Sequence, residues 1–215
     1  MRVLLTGGSG NVGSNILPLL GAEHEVVIYD CKPPQVEGVE YFEGDLLDRS
    51  ALLAAMKGID AVIHLAAIPN PNNDPDDRIM LINLLGSEYV FGAAAEQGVK
   101  RVIAASSDST FGFVFGRPLS EVEFLPLKET HSAKPVDSYG ASKLLMEELA
   151  ARYTRKTGIE TVMLRYCWVF IPQTYEVMEA IQADNTHAPK TFFTYIDARS
   201  EERRVGKECR TRVLP

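Results

Sequence analysis

Two residues with complementary acid–base chemistry, Tyr139 and Lys143, occur in the segment Tyr139-Gly140-Ala141-Ser142-Lys143. On a helix this spacing puts both side chains on one face, one turn apart. A free tyrosine has a pKa of about 10, and an ammonium group held close favours the phenolate and brings that pKa toward neutrality. The pair could therefore take a proton from a substrate hydroxyl. Alone it is more typical of an ordinary helix surface, so its interpretation depends on the motifs that accompany it.

A glycine-rich turn lies near the start of the chain, where an apolar run passes into Thr6-Gly7-Gly8-Ser9-Gly10-Asn11-Val12-Gly13. Glycines at this spacing let the backbone approach a pyrophosphate, because no Cβ atom stands in the way. The free N–H groups and the dipole at the start of the following helix then favour its negative charge. The turn predicts a dinucleotide-phosphate site, whose residues are Gly7, Gly10, Asn11, Val12 and Gly13.

Asp30 strengthens this prediction, because it ends the second apolar run about 20 residues after the glycine turn. A carboxylate at that point can accept hydrogen bonds from the adenosine ribose hydroxyls and repels a 2′-phosphate. We therefore expect NAD as the cofactor in preference to NADP. Lys32, two residues further on, keeps NADP open as the alternative.

The elements that must position these residues follow a regular order, in which β-rich apolar runs alternate with amphipathic stretches. This order predicts an α/β fold, a doubly wound parallel sheet with ligands at the carboxyl ends of its strands. A long proline-containing loop over 108–135 is expected to be functional. Predicted strands lie near 3–5, 26–29, 39–42, 61–65, 101–105, 161–165 and 191–196, and predicted helices near 11–21, 48–57, 76–97, 138–157 and 174–183.

Composition excludes several classes of protein. The 215 residues carry a net charge of -7, which argues against nucleic-acid binding. No apolar stretch is long enough for a membrane span, and the first residues lack the pattern of a signal peptide. The three cysteines, Cys31, Cys167 and Cys209, show no metal-ligand spacing, so we expect reduced thiols, no metal site and a cytoplasmic protein. A homodimer is left open.

Residues 200–215 differ in composition from the rest and include Glu201-Glu202-Arg203-Arg204-Val205. The string reads as an in-frame translation of a sequencing-adapter oligonucleotide, so we expect a non-native tail after a nucleotide-binding domain at 1–199. On this hypothesis the natural sequence continues past Arg199 and most of the substrate-binding part is missing. A genuine basic, solvated tail is the alternative.

With the glycine turn, Asp30, the run Ala105-Ser106-Ser107 and the Tyr139/Lys143 pair, the chain resembles the extended short-chain dehydrogenase/reductase family of NAD-dependent sugar epimerases and dehydratases. The resemblance covers residues 1 to about 198 and implies a Rossmann-like fold. It also implies that Ser107 orients the reacting oxygen, that Tyr139 is the general base, and that Lys143 holds the nicotinamide ribose. His64 is expected to be a packed strand residue. Further cofactor-binding residues implied by the family are Asp45, Leu46, Leu65, Ala66, Ala67, Asn83 and Tyr166.

Two departures from the family pattern bear on the substrate. Trp168 stands where nucleotide-sugar enzymes usually carry an asparagine, and Ser107 is followed by Asp108-Ser109 rather than the Asp-Glu pair of the dehydratases. The resemblance therefore favours a dehydrogenase acting on a free sugar or sugar acid, as in the uronate dehydrogenase branch. A nucleotide-sugar epimerase and a non-catalytic NAD-binding regulator are the alternatives. The expected partner is a small carbohydrate-like molecule.

Overall fold

A six-stranded parallel sheet forms the centre of the protein, as seen in a computed structural model that describes residues 1–72, 74–118, 121–125, 127–171 and 176 and the backbone of 195–197. Its strands are β1 (Arg2–Thr6), β2 (Glu25–Asp30), β3 (Glu40–Glu43), β4 (Ala61–His64), β5 (Arg101–Ser107) and β6 (Glu160–Tyr166). Their order in the sheet is β3-β2-β1-β4-β5-β6. The α/β fold class predicted from the sequence is confirmed, together with the six predicted strands.

Within residues 1–171, the described α-helices that connect and cover these strands are α1 (Asn11–Glu23), α2 (Arg49–Ala55), α3 (Asp76–Met80), α4 (Gly86–Glu96) and α5 (Ser138–Thr157). Successive strand residues point to opposite faces, so neighbours such as Leu4 and Leu5 enter different cores. Leu4 belongs to a large cluster that includes residues of α2, α4 and α5, whereas Leu5 packs with Leu17 of α1. Burial on both faces explains why these strands are nearly continuous apolar runs.

The helix predicted over 76–97 is interrupted. A π-helical turn, Leu81–Leu85, joins α3 to α4 and contains the buried residue Asn83. Such turns add one residue to a helical turn and often occur at functional sites. Hydrophobic periodicity does not reveal them, because apolar residues continue through the insertion.

The described end of the seventh predicted strand lies outside the main sheet. The strand β7 (Trp168–Phe170), which the sequence analysis missed, pairs with β8 (Tyr195–Asp197) in a separate two-stranded sheet. Residues 191–194 of the predicted strand at 191–196 lie outside the described residues. The predicted helix at 174–183, except for Glu176, and the tail at 200–215 lie outside the described residues.

No helix among the described residues is long and apolar enough to cross a membrane. In the same part of the chain, no group of three or more His, Cys, Asp or Glu side chains is arranged to hold a metal ion.

The direction of sheet construction reverses between β1 and β4. From β1 the strands run outward to β2 and β3 on one side and to β4, β5 and β6 on the other. In open α/β sheets the ligand site lies at such a switch point, beyond the carboxyl ends of the strands. The glycine turn follows the carboxyl end of β1, and Ser107 ends β5, so both face this edge.

Candidate active site

The glycine turn after β1 is held tightly against the end of β4. Gly7 has a φ of 74°, in the left-handed region, and its N–H donates to the carbonyl of Tyr29 over 3.0 Å. A Cβ atom on Gly7 would lie 2.6 Å from the backbone nitrogen of Ala66. Both the backbone angle and the close approach therefore require glycine. The predicted cofactor residues Leu65 and Ala66 are thus adjacent to the predicted phosphate turn.

The first turn of α1 is open at its N-terminus. Gly10 is the N-cap residue and provides no side chain to cap the helix, so the first N–H groups of Asn11, Val12 and Gly13 have no partner within it. Gly13 packs against the backbone of Gly7 and Gly8, with no room for a Cβ atom. The sequence thereby presents N–H donors and a positive helix end at the surface of the turn.

Asp30 lies beside this turn at the end of β2. Its two carboxylate oxygens accept the backbone N–H groups of Ser9, over 3.0 Å, and Lys32, over 3.1 Å. Each oxygen retains lone-pair capacity for one more donor. The carboxylate thus fixes the turn and can still accept a hydroxyl hydrogen bond.

The Asp45-Leu46 pair lies after β3, on the same side of the switch point. The Tyr29 hydroxyl donates to the Asp45 carbonyl over 2.8 Å, and the Asp45 carboxylate accepts the N–H of Leu47. Leu46 is buried against Gly86 at the start of α4. The pair is therefore held by two neighbouring elements, β2 through Tyr29 and α4 through Gly86.

His64 is a buried structural residue, as the sequence analysis expected. Its ring nitrogens lie 2.7 Å from the Thr6 hydroxyl and 3.0 Å from the Ser87 hydroxyl. Burial, with a further contribution from the charge of Lys143, lowers the pKa of His64 to about 3. A ring that stays neutral and is hydrogen-bonded on both sides joins β1, β4 and α4 but has no proton to exchange near neutral pH.

Asn83 is buried with its amide engaged by protein atoms. Its Oδ1 accepts the N–H of Ile68 over 2.8 Å, and its Nδ2 donates to the Ile68 carbonyl over 3.0 Å and to the Ser142 hydroxyl over 3.2 Å. The residue therefore ties the segment that contains Ala67 to α5. Asn83 would therefore support a cofactor indirectly, by fixing the backbone of the segment that contains Ala67.

Ser107, Tyr139 and Asp108 meet where β5 ends and α5 begins. The Ser107 hydroxyl donates to Asp108 Oδ1 over 3.2 Å and lies within hydrogen-bonding reach of the Tyr139 phenol. The Ser107 hydroxyl also accepts the N–H of Ser109 and so caps the 3₁₀ turn Asp108–Phe111. Burial raises the pKa of Asp108 to about 6. Ser107 and Tyr139, which are 32 positions apart in the sequence, are thus neighbours in the folded protein.

The electrostatics of Tyr139 differ from the sequence expectation. Burial raises the pKa of Tyr139 to about 12, the Ser107 hydrogen bond opposes this, and the negative charges of Asp108 and Asp137 add to it. Lys143 Nζ lies 5.8 Å from the centroid of the Tyr139 ring and donates to the Ala105 carbonyl over 2.7 Å. Because the ammonium is directed to that carbonyl, it does not bring the phenol toward neutral pH in this arrangement.

Lys143 is itself buried, one turn after Tyr139 on the inner face of α5. Desolvation lowers the pKa of Lys143 to about 8, because the charged ammonium has left water for a protein interior. The residue is therefore both a donor and a group that can change its charge just above neutral pH.

Sequence reasoning missed an ion pair behind this site. Glu147, one further turn along α5, binds Arg165 of β6 through two contacts of 2.8 and 2.7 Å. Glu147 also accepts from the Ser106 hydroxyl, and the Arg165 guanidinium lies 4.9 Å from the centre of the Phe111 ring. The spacing of 139, 143 and 147 on one helix face was the available signal.

The two remaining predicted features lie at the end of β6. Tyr166 pairs in register with Ser107, so it lies at the same edge of the sheet as the candidate catalytic serine. Trp168, in β7, is 42% exposed and stacks on Phe170. Trp168 therefore follows Tyr166, which ends β6 at the candidate site, by two residues.

Taken together, these residues fit a dinucleotide. The backbone cradle formed by Gly7 and Gly13 would be filled by any Cβ atom, the first N–H groups of α1 are uncapped, and Asp30 lies beside them. Phosphates bind at such helix starts, and an acidic residue at this strand end suits ribose hydroxyls. The sheet order and the turn together define a Rossmann-type nucleotide-binding fold.

Comparison with known proteins agrees with this class. Residues 3–196 match the NAD dependent epimerase/dehydratase family, and the chain belongs to that family. It is 32% identical to an NAD-dependent glucose-6-phosphate dehydrogenase of Haloferax volcanii, over 76% of this chain and 66% of the relative. It is 33% identical to a uronate dehydrogenase of Pseudomonas putida, over 76% of this chain and 59% of the relative.

Among solved structures, the UDP-glucose 4-epimerase of Brucella ovis in complex with NAD superposes with a TM-score of 0.70. That protein is 30% identical, and the match covers 78% of this chain and 52% of the epimerase. The resemblance to the extended short-chain dehydrogenase/reductase family is thus confirmed. The chain spans less than two thirds of the length of the curated relatives named above.

Proposed function

We propose that this protein is an NAD-dependent oxidoreductase or epimerase that transfers a hydride from a secondary alcohol of a sugar or sugar acid. The observation that carries the proposal is the packing of the start of α5 against the turn after β5, which brings the Tyr139 phenol within reach of the Ser107 hydroxyl, with Lys143 buried one turn further along α5. The relatives named above, which are sugar dehydrogenases and a nucleotide-sugar epimerase, support the same chemistry.

In the proposed reaction, the substrate oxygen lies between the Ser107 hydroxyl and the Tyr139 oxygen. Ser107 turns its proton from Asp108 to that substrate oxygen, and Tyr139, present as the phenolate, accepts the substrate's hydroxyl proton as the carbon loses a hydride and becomes a carbonyl. NAD, when bound, supplies the hydride acceptor. Lys143 stabilises the Tyr139 phenolate by its charge. For this role its ammonium has to move closer to the Tyr139 oxygen than its present contact with Ala105 permits.

The proposed NAD site consists of the glycine turn, Asp30 and the residues that hold them. Gly7, Gly10 and the start of α1 would bind the pyrophosphate, and Asp30 the adenosine ribose. The remaining proposed contacts are those of Asp45, Leu46, Leu65, Ala66, Ala67, Asn83 and Tyr166. Asn83 is the weakest of these for direct contact, since its amide already binds Ile68 and Ser142.

Dehydrogenase and epimerase activity can be separated by the fate of the reduced cofactor. A dehydrogenase releases NADH, whereas an epimerase returns the hydride to the substrate and keeps its NAD bound. The protein is incubated with NAD and either free sugars or UDP-sugars, with absorbance at the NADH band and substrate stereochemistry followed together. Net NADH with a free sugar supports the dehydrogenase, and epimerised UDP-sugar without net NADH supports the alternative.

The regulator alternative predicts a different result in the same assay. A protein that binds NAD and changes no sugar under any of these conditions would contradict the catalytic proposal and leave only the cofactor site.

A cytoplasmic location and a homodimer are also proposed, the former from the sequence composition. Sedimentation analysis with and without NAD tests the dimer.

A further inference from the structure

The end of β5 brings a carboxyl group to the reacting position as well as two hydroxyls. Asp108 Oδ1 accepts a hydrogen bond from the same Ser107 hydroxyl that contacts Tyr139. A substrate oxygen held between Ser107 and Tyr139 would therefore have the Asp108 carboxyl as a close neighbour. The proposed hydride transfer uses Ser107, Tyr139 and Lys143, so it leaves Asp108 without a role.

The charges around this point make it electronegative. Asp108 and Asp137 both act on Tyr139 as negative charges. The 3₁₀ turn packs against α5 and β6, and Arg117 and His131 of the following loop contact its Phe111. The cations here are engaged by other groups: Lys143 donates to the Ala105 carbonyl, Arg165 is paired with Glu147, and Arg117 is paired with Glu121.

Protonation does not remove this charge at neutral pH. The pKa of Asp108 is raised to about 6 by burial, so the carboxyl is mostly ionised above pH 7. A second anion brought within a few ångströms would meet like-charge repulsion in a partly buried site, where screening is weak. A sugar hydroxyl at the same place could instead donate to a carboxylate oxygen, and hydrogen bonds to charged groups are the stronger kind.

We propose that Asp108 determines substrate specificity: it accepts a hydroxyl of the sugar close to the reacting oxygen and repels a carboxylate brought there, so the protein takes uncharged sugars rather than uronic acids. This inference rests on the proposed function and narrows its substrate class. It distinguishes the chain from the uronate dehydrogenase that it resembles.

The test compares sugars that differ only in charge. D-galactose and D-galacturonate, and D-glucose and D-glucuronate, are matched pairs in which a CH₂OH group is replaced by a carboxylate. For each pair, kcat/KM is measured with NAD at pH 7.5, and binding to the NAD-saturated protein is measured by calorimetry. We expect the neutral sugar to be preferred at least tenfold in one pair.

Asp108→Asn keeps the shape of the side chain and an acceptor oxygen but removes the charge. The ratio of kcat/KM for the neutral sugar to kcat/KM for its acid should therefore come within about threefold of unity. Glu148→Gln, on the exposed side of α5, removes the same charge away from the site and should leave the ratio unchanged. Thermal unfolding of both variants verifies that they fold.

The possible failures are distinguishable. If the acid and the neutral sugar react equally well, or if Asp108→Asn leaves the preference unchanged, the specificity inference is wrong and the proposed function stands. If no sugar or UDP-sugar reacts or binds, the proposed function fails and the inference fails with it.

Discussion

At the scale of single residues, Tyr139 carries the main test of the proposed chemistry. Tyr139→Phe keeps the ring and removes the proton acceptor, so turnover should fall by about 10² to 10⁴, the usual contribution of general acid–base catalysis. NAD affinity should change little. Steady-state kinetics and a cofactor titration measure the two effects.

Tyr153→Phe is the matched control, because Tyr153 lies on the same helix and donates its hydroxyl hydrogen bond to Glu88, away from the site. It should leave turnover nearly unchanged. Retention of activity by the Tyr139 variant would contradict the assigned role.

Asp30 tests the cofactor preference. Asp30→Ala removes the acceptor for the ribose hydroxyls and the charge that repels a 2′-phosphate, so the preference for NAD over NADP should narrow by about tenfold or more. It should also loosen the turn, since the Ser9 N–H loses its acceptor. Titrations with both cofactors measure the preference.

Glu43→Ala is the control for this variant. Glu43 is exposed and pairs in register with Asp30 from the adjacent strand β3. Its substitution therefore removes the same charge one strand away from Asp30. An equal change in both variants, or tighter NADP binding by the unmodified protein, would contradict the role of Asp30.

Lys143 predicts a pH-dependent stability. Its pKa is lowered from 10.5 to about 8 in the folded protein, so between these values the unfolded chain binds more protons and stability rises with pH. Below pH 8 the buried ammonium lowers the free energy of unfolding by about 3 kcal/mol, at about 1.36 kcal/mol per pKa unit. Lys143→Met removes that cost but also loses the hydrogen bond to Ala105, worth about 1 kcal/mol.

The Lys143→Met variant should therefore be about 2 kcal/mol more stable than the unmodified protein at pH 7. The advantage should shrink as the pH rises from 8 toward 10.5. Urea unfolding of both proteins at pH 7 and 9.5 measures it. A variant that is less stable at pH 7, or an advantage that does not depend on pH, would show that the buried charge has no such cost.

At the scale of elements, the Glu147–Arg165 pair should hold α5 in position against β6. Both side chains are less than a fifth exposed. Removing either partner should cost about 2 kcal/mol, because the other charge is left without its partner in a partly buried place. The double variant Glu147→Gln/Arg165→Gln should lose about 1 kcal/mol less than the sum of the two single variants.

The exposed pair Arg101–Glu160 provides the control, since its side chains are 54% and 63% exposed. It should show no measurable coupling in the same cycle of unfolding measurements. Equal coupling in the two pairs would mean that burial of the Glu147–Arg165 pair does not strengthen it.

The sequence predicted those elements whose signal is local. Apolar runs gave the six strands of the main sheet, and glycine spacing placed the turn between β1 and α1. The π-helical turn at Leu81–Leu85 and the short strand β7 were missed. Four of the five residues of Leu81–Leu85 are apolar, so the sequence shows no break in its hydrophobic pattern at the insertion. A three-residue strand is too short to show alternation.

For the candidate site, the residue types were predictable and their electrostatics were not. A four-residue spacing places Tyr139 near Lys143, but the direction of the ammonium depends on the Ala105 carbonyl, which belongs to another strand. The burial that raises the pKa of Tyr139 likewise arises from tertiary packing. Contacts between distant segments therefore set the properties that local sequence leaves open.

At the scale of the whole molecule, the sheet order explains why distant motifs converge. Because β1, β4 and β5 are parallel neighbours, their carboxyl ends share one edge, and the glycine turn, His64 and Ser107 all lie there. Such convergence requires the complete order of strands, since parallel neighbours must be joined through crossovers. We therefore expect cofactor binding and global unfolding to be coupled, with NAD raising the melting temperature.

We propose that residues 200–215 form no part of the folded domain. The segment contains Gly206 and many charged residues, and its few apolar residues, Val205, Cys209 and Val213, are four positions apart without further apolar neighbours except Leu214. So few apolar residues bury too little surface to offset the conformational entropy of ordering the chain. Deletion of 200–215 should therefore leave the melting temperature and NAD affinity unchanged. Thermal unfolding of the full and shortened chains, with hydrogen exchange of the tail amides in the full chain, measures this. Strong amide protection, or a drop in melting temperature of several degrees on deletion, would show that the segment is a structural element of the protein.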